Sequence, residues 1–353
     1  MRCIGVAGAN DSMEMKSMKA ALLAASMLVT VVLAQSPAVV QAEVSEVRLA
    51  RQYGINYLQL MVMEDRKLIE QHAKRMGLAD LRVSWPQMSS GAAMNDALLS
   101  RNLEVASGGV APIVLLWSKT RGGIDVRAMA SLNLMPVVLN TRNPNVQTVK
   151  DFTEKDRIAL PAVKVSIQAV TLQMAAAQAF GAANYAKLDP ITVAMSHPDG
   201  MTALLGGSSE IDAHFTGPPF DQLELQKSGI HTVVHSYELL GGKTTSTLVW
   251  CTGEFRRDNP KTYTAIMAAL REATDIINRD KRAAAELYLR MTNGKESLDN
   301  MEKILSHRDI EYTLTPRSMV KYADFMHQTG SIKLKPESWK DMFFPEVYDL
   351  PGS

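Results

Sequence analysis

Two stretches of this chain, about a hundred residues apart, follow the same plan. Ala97-Leu98-Leu99 passes through a polar turn to Leu103-Glu104-Val105-Ala106 and then to Ser107-Gly108-Gly109-Val110-Ala111-Pro112. Ala203-Leu204-Leu205 likewise leads to Ile211-Asp212-Ala213-His214 and then to Phe215-Thr216-Gly217-Pro218-Pro219. Each reads as an apolar helix end, a short strand and a loop too rich in Gly and Pro to prolong either element. Backbone is thereby bared at the end of a strand. In open α/β sheets that edge receives small ligands, because glycine lets them approach the chain and the next helix offers free N–H groups. Two such edges predict two similar lobes with a ligand between them.

The first 42 residues stand apart from the fold. Lys16 and Lys19 precede an apolar run from Ala20 to Ala34, and Val40-Gln41-Ala42 puts small residues where a signal peptidase reads. A cleaved export signal is expected, with 1–14 an extension that a start at Met15 or Met18 would leave out. The run is too short for a comfortable membrane span. Removing Arg2, Lys16 and Lys19 from the 38 basic residues, and Asp11 and Glu14 from the 37 acidic ones, leaves 35 of each. Such a balance gives no electrostatic basis for binding nucleic acid or an anionic membrane. Cys3 leaves with the signal, so Cys251 has no partner for an intramolecular disulfide, and the core must hold the fold unaided.

Along the mature chain, Val44 to Ala50 and Leu81 to Trp85 read as strands, separated by a helix that carries Leu60, Met61, Leu68, Ile69, His72 and Met76 and closes at Gly77. Ser89 or Ser90 caps a helix running to Leu99. Pro136 to Thr141 is a further strand, after which the grammar restarts: a helical turn at 149–152, a strand at 157–161, an Ala-rich helix entered at Val165-Ser166-Ile167-Gln168 and ending near Gly181, and a strand at 191–193. Thr244 to Cys251 reads as a strand returning to the first lobe. Asn259 as cap and Pro260 as first helical residue predict a long helix to about Leu289, with Tyr263, Ile266, Met267, Leu270 and Ile277 buried. The lobes are expected at 43–139 with 241–353, and at 140–240, and crossings near 139–143 and 241–250 would form a hinge.

The order Arg51-Gln52-Tyr53-Gly54, Ser89-Ser90-Gly91, Ser107-Gly108-Gly109-Val110-Ala111-Pro112, Val165-Ser166-Ile167-Gln168 and Thr216-Gly217-Pro218-Pro219, closing on Trp339-Lys340-Asp341-Met342-Phe343-Phe344-Pro345, resembles the nitrate, sulfonate and taurine group of periplasmic solute-binding proteins of ABC transporters. The resemblance runs through nearly all of the mature chain and rests on order and spacing rather than on one motif. It implies an α/β, two-lobed periplasmic binding protein type II fold, with two open mixed sheets, flanking helices and a two-strand hinge. It also implies a periplasmic location, and capture of a small solute for delivery to an ABC transporter permease with its ATPase. A monomer is expected, with no enzyme activity, no catalytic residues, no cofactor and no metal.

Carried over position by position, the family's pocket falls on Gln52, Tyr53 and Gly54, on Ser89, Ser90 and Gly91, and on Gly108 and Gly109 in the first lobe. In the second it falls on Ser166, Gln168, His197, Phe215 and Thr216. Helix N-termini and Ser hydroxyls suit a sulfonate, nitrate or carboxylate, and neutral donors suit a solute that must be released again. No Arg or Lys falls at a pocket position, Arg51 standing just before it. Tyr53, Tyr57, Trp85, Trp117 and Phe215 could instead stack an aromatic solute, and both readings stand.

Other features carry less. Cys251 on an apolar strand reads as a small buried filler. His231 and His235 on a strand would lie ~13 Å apart, too far for one metal. Gly242-Lys243-Thr244 lacks the first glycine of a phosphate loop, since Tyr237 stands there. No Gly-x-Ser-x-Gly elbow frames a serine. The 21 Met residues fit adaptable packing, and Arg279-Asp280-Lys281-Arg282 reads as the solvated face of the long helix. Two alternatives to the transport reading are a sensing subunit for a membrane receptor and a pyrimidine-synthase-like enzyme. The enzyme would need a cysteine-rich motif that this chain lacks.

Overall fold

The computed structural model describes residues 1, 42–207 and 211–353. The expected export signal falls almost entirely outside the described residues. The chain enters a first lobe through β1 (Glu46–Arg48), α1 (Leu58–Arg66), α2 (Leu68–Arg75), β2 (Arg82–Ser84), α3 (Gly91–Leu99), β3 (Ala106–Gly109), α4 (Val110–Thr120) and β4 (Arg127–Leu134). It crosses at residues 135–137 into a second lobe made of β5 (Val138–Thr141), β6 (Ile158–Leu160), α5 (Ile167–Phe180), β7 (Thr192–Ala194), α6 (His197–Gly206), β8 (Ala213–Thr216), α7 (Phe220–Glu224), β9 (His231–His235) and α8 (Ser236–Leu240). Residues 241–244 lead back to β10 (Thr245–Cys251), α9 (Gly253–Asp258), α10 (Pro260–Arg279), α11 (Lys281–Thr292), α12 (Leu298–Leu305), β11 (Glu311–Tyr312) and α13 (Met319–Gln328).

The two sheets share one strand order. β1 and β2 pair in parallel, Leu49 bridges to Val105 just before β3, and β3, β10, β4 and β11 follow side by side. The second sheet runs β7-β6-β8-β5-β9. In each, three strands, β1 to β3 or β6 to β8, stand in the order second, first, third. Next comes a strand delivered by a crossing segment, β10 or β5, antiparallel to both neighbours. The repeated sequence pattern marks the third strand of each sheet, β3 and β8, the one that pairs with the crossing strand.

Apolar burial explains the layers. Trp250, Tyr312, Tyr322 and Phe343 are among the largest fully buried side chains, and α10 lays Tyr263, Ile266, Met267, Leu270 and Ile277 into the first lobe's core, as its helical spacing predicts. Near the crossings the lobes are joined by a buried hydrogen bond of 3.0 Å between Thr171 Oγ1 on α5 and Tyr322 OH on α13. Tyr185 also meets Phe325 edge to face, with centroids 6.2 Å apart.

Several expected elements differ in detail. The helix expected up to Met76 is broken at Lys67, whose φ of 51° closes α1 and starts α2. α1 buries Leu58 to Met63 without interruption while α2 is amphipathic, so no single stripe could serve both. The long helix from Pro260 stops at Arg279. Asp280 turns extended, and its carboxylate accepts from Ala283 N at 2.9 Å to cap α11. The charged run 279–282 is therefore a helix junction and not one solvated face. Asn259 does not cap α10 with its side chain: its Oδ1 accepts from Val44 N at 2.8 Å and its Nδ2 donates to Phe255 O at 3.0 Å. The open N–H groups of α10 go to the Glu43 carboxylate, from Lys261 at 2.9 Å and Thr262 at 2.7 Å. β4 is not expected from the sequence, because it is buried on both faces and Ser131 and Asn133 break the continuous apolar run that such a strand would show. The first Gly-Pro stretch is no loop: β3 ends at Gly109 and α4 begins at Val110, with Pro112 in the first turn, where no intrahelical N–H is needed.

Candidate functional site

Four helix N-termini open on one cavity between the lobes. Ser90 caps α3 through an Ala93 N–H bond of 3.2 Å, Gly109 precedes α4, Ser166 caps α5 through Ala169 N at 3.2 Å, and Ser196 caps α6. Their first turns bring Gly91, Pro112, Ser166, Ile167 and His197 to the cavity wall. Gln52, Tyr53, Asn56 and Tyr57 reach it from the segment after β1, Ser246 and Thr247 from the start of β10, and Gln168, Gly217 and Phe220 from the second lobe. Among the described residues lining it there is no Lys, Arg, Asp or Glu. The cavity measures about 30 Å³, room for a group of a few atoms.

The lobes meet closely around it. A Cβ added to Gly109 would stand 2.6 Å from Ile167 Cγ2 across the cleft, and one added to Gly54 would stand 3.0 Å from Pro218 O. Gly54 also has φ of 100°, which glycine alone adopts without strain. On the floor, Asn56 Nδ2 donates to Ser246 Oγ at 3.2 Å and Asn133 Nδ2 to Asn56 O at 2.7 Å. Burial raises the Tyr57 phenol, against a hydrogen bond from Thr247 that lowers it.

A chain of buried polar groups leads away from the cavity into the second lobe. His197 Nε2 lies 3.4 Å from Gln168 Nε2, and His197 Nδ1 lies 2.9 Å from Thr216 Oγ1 and 3.3 Å from His214 Nε2. His214 Nδ1 meets Glu224 Oε1 at 2.5 Å, and Asn140 Nδ2 donates to Glu224 Oε2 at 2.9 Å. Burial lowers the His214 imidazole to about 3 and the His197 imidazole well below its ordinary range, the latter also through His214. Burial lifts the Glu224 carboxyl to about 8, and burial with the Glu224 charge lifts that of Asp221 to about 7.

Of the residues expected at the pocket, Gln52, Tyr53, Gly91, Gly109, Ser166, Gln168 and His197 line the cavity. Ser90 is buried as the α3 cap and Gly108 stands just behind, where a Cβ would press the Trp250 ring at 2.9 Å and the Gln52 amide at 3.3 Å. Thr216 lies one layer back, on His197 Nδ1. Gly54 sits on an adjoining groove. Ser89 and Phe215 are outside: Ser89 is exposed, because Ser90 takes the cap, and Phe215 is fully buried on the face of β8 opposite the His214 and Thr216 side chains. Of the other aromatics, Trp117 is held in the core by its Nε1 bond of 2.8 Å to Asp341 O. Cys251 is fully buried, which pushes its thiol well up, as befits a filler. Asn56, Ser246, Thr247 and Phe220 were not anticipated. Ser246 and Thr247 carry one signal, the run of small hydroxyl residues opening an otherwise apolar strand, Thr244 to Thr247; Asn56 and Phe220 carry none.

The adjoining groove, about 630 Å³, shares Gln52, Tyr53 and Phe220 with the cavity and runs outward between the lobes. Met61, Met201, Leu205, Leu223, Leu289 and Met301 make it apolar. Arg51 stands at its wall, paired with Glu64 at 3.0 Å.

Two α/β lobes with swapped crossing strands and a cleft of helix N-termini define the type II periplasmic binding protein fold. Solved structures agree. The alkanesulfonate-binding protein SsuA of Xanthomonas axonopodis pv. citri, bound to MOPS, superposes with a TM-score of 0.65 at 16% identity, covering 86% of this chain and 99% of that one. The aliphatic sulphonate binding protein of Escherichia coli gives 0.60 at 16%, covering 86% and 92%, and the nitrate-binding protein NrtA of Synechocystis PCC 6803 gives 0.62 at 12%, covering 85% and 84%. No curated protein matches the sequence significantly. The NMT1-like family model matches residues 40–291, and the chain belongs to that family.

Proposed function

We propose that this protein is the periplasmic solute-binding component of an ABC importer, which closes its lobes on a small organic or inorganic anion and presents it to a permease. The observation that carries this reading is the convergence of four helix N-termini, two from each lobe, on one cavity that, among the described residues, is lined by neutral groups and His197. Free N–H groups and dipole ends receive a sulfonate, nitrate or carboxylate, and closure of the lobes completes its coordination. The candidate contacts are Gln52, Tyr53, Ser166, Gln168 and His197, with Gly91 and Gly109 supplying backbone. A cavity this small takes the anionic head, and the apolar groove beyond Tyr53 and Phe220 takes an aliphatic or aromatic body. The swapped strands supply a hinge at 135–137 and 241–244.

A thermal-shift and calorimetric screen of residues 43–353 against nitrate, ethanesulfonate, taurine, benzoate, amino acids and pyrimidines tests the reading. A true solute at a hundred times its Kd adds ~2.7 kcal/mol of stability and is recovered unchanged. A hit that is consumed would favour an enzyme on this fold, and a panel without any hit would defeat the anion reading.

A further inference from the structure

We propose that an anion entering the cleft brings one proton into the protein, taken up by the Glu224–His214–His197 chain, which turns His197 Nε2 from an acceptor into a donor aimed at the anion. The inference rests on the solute-binding reading above and adds the charge balance of that site. An anion enclosed between closed lobes needs compensating charge, and among the described residues no cationic side chain lines the cavity.

The hydrogen-bond geometry admits two complete arrangements. With Glu224 ionised, His214 donates from Nδ1 to Glu224 and accepts at Nε2 from His197 Nδ1–H, so His197 Nε2 faces the cleft as a lone pair. With Glu224 protonated, its O–H donates to His214 Nδ1, His214 donates from Nε2 to His197 Nδ1, and His197 presents Nε2–H to the cleft. The second arrangement holds one proton more. That proton comes from solvent onto His197 Nε2; the Nδ1 proton of His197 passes to His214 Nε2, and the Nδ1 proton of His214 passes to Glu224, so both rings end neutral. Thr216 Oγ1 shares His197 Nδ1 with His214, accepting from it in the first arrangement and donating to it in the second, while Gln168 Nε2 donates to the His197 Nε2 lone pair in the first and to the anion in the second.

The surroundings pack closely around the path. Gly200 lets α6 lie on His214, where an added Cβ would stand 2.6 Å from Nε2. The groups facing the chain are Asn140 on β5, Thr232 on β9 through Asn140 Oδ1 at 2.8 Å, Phe220 stacked on His197, and Asp221 one turn before Glu224. His231 and His235 on β9 turn elsewhere, to Val146 O and the Tyr237 ring. Burial raises the Glu224 carboxyl to about 8, so it stands ready to take the proton above that pH, and keeps both imidazoles from becoming cations.

Nitrate and ethanesulfonate serve as probes, because neither titrates between about pH 6 and 9, so any proton taken up belongs to the protein. Isothermal titration in buffers of different ionisation enthalpy should show about one proton bound per anion near pH 9 and almost none near pH 6. Affinity should fall about tenfold per pH unit above about 8. In Glu224→Gln the amide oxygen takes the Asn140 bond and the NH₂ donates to His214, fixing the donor arrangement. Proton uptake should vanish and affinity near pH 9 should exceed that of the unmodified chain about tenfold or more. Asp221→Asn should keep the uptake. Binding without proton uptake near pH 9, uptake that survives Glu224→Gln, or uptake lost in Asp221→Asn would each overturn this proposal alone. Failure of both anions to bind at millimolar concentration would overturn it together with the solute-binding reading.

Discussion

Single glycines set how closely the lobes approach. Gly109 has an ordinary φ of −70°, so a side chain there costs nothing in backbone strain. Its Cβ would nevertheless meet Ile167 across the cleft at 2.6 Å. Gly109→Ala should therefore leave the ligand-free melting temperature nearly unchanged while weakening solute binding about tenfold or more, because the clash exists only when the lobes are together. Ile167→Ala in the same chain should restore most of the affinity, read by calorimetry. If Gly109→Ala alone binds as well as the parent, the closed approach of these two residues is not what holds the solute. Ser166 differs in kind: it caps α5 and faces the cavity at once. Ser166→Ala should cost ~1 kcal/mol of stability and lower affinity besides.

At the scale of elements, the ends of helices are fixed by residues remote in sequence. α10 begins correctly at Pro260, yet its N–H groups are satisfied by Glu43, 218 and 219 residues away in the chain from Lys261 and Thr262. Glu43→Ala should cost about 1 kcal/mol in urea unfolding, a loss comparable to that of a helix cap. Lys67 is the opposite case, a non-glycine residue at φ 51° between α1 and α2. Lys67→Gly should stabilise the fold by a few tenths to about 1 kcal/mol, because the left-handed conformation costs glycine nothing. Neither feature is visible in periodicity. The pattern from Leu58 to Arg75 looks like one helix until burial on all sides of α1 is seen, and Asn259 looks like a cap until Val44 and Phe255 are seen to occupy it.

For the whole molecule, the buried carboxyl and imidazole groups of the second lobe shape stability against pH. Glu224 and Asp221 are raised to about 8 and about 7, so the folded chain keeps protons that the unfolded chain loses above its ordinary carboxylate range, and their stabilisation is lost as pH rises towards those values. His214, lowered to about 3, and His197 do the reverse: they must stay neutral, and stability is lost as pH falls below about 6.5. Between roughly pH 4.5 and 6.5 the two trends cancel. Unfolding free energy, followed as melting temperature, should show a plateau there and fall on both sides, on the alkaline side by up to ~1.4 kcal/mol per pH unit for each net proton. Glu224→Gln should shallow the alkaline fall; an unchanged profile would mean that Glu224 is ionised throughout.

The chain itself determined the sheet grammar: the repeated approach to β3 and β8, the β-branched return at β10, the Ser-capped helices and the amphipathic stripe of α10 are local patterns, and local physics suffices for them. Gln52, Tyr53, Ser166, Gln168 and His197 came from the family resemblance and not from local pattern alone; the structure puts them on one cavity wall, each near a strand end or a helix start. What only the tertiary structure decided is which groups meet. β4 is a strand despite Ser131 and Asn133 because two neighbours take its backbone, Ser246 and Thr247 reach the cleft because β10 begins where the chain re-enters the first lobe, and Glu224 meets His214 because α7 folds back over β8 and β5. A sequence orders residues along one line, whereas a cleft between lobes and a buried hydrogen-bond chain are made of contacts between points of that line that only folding brings within 3 Å.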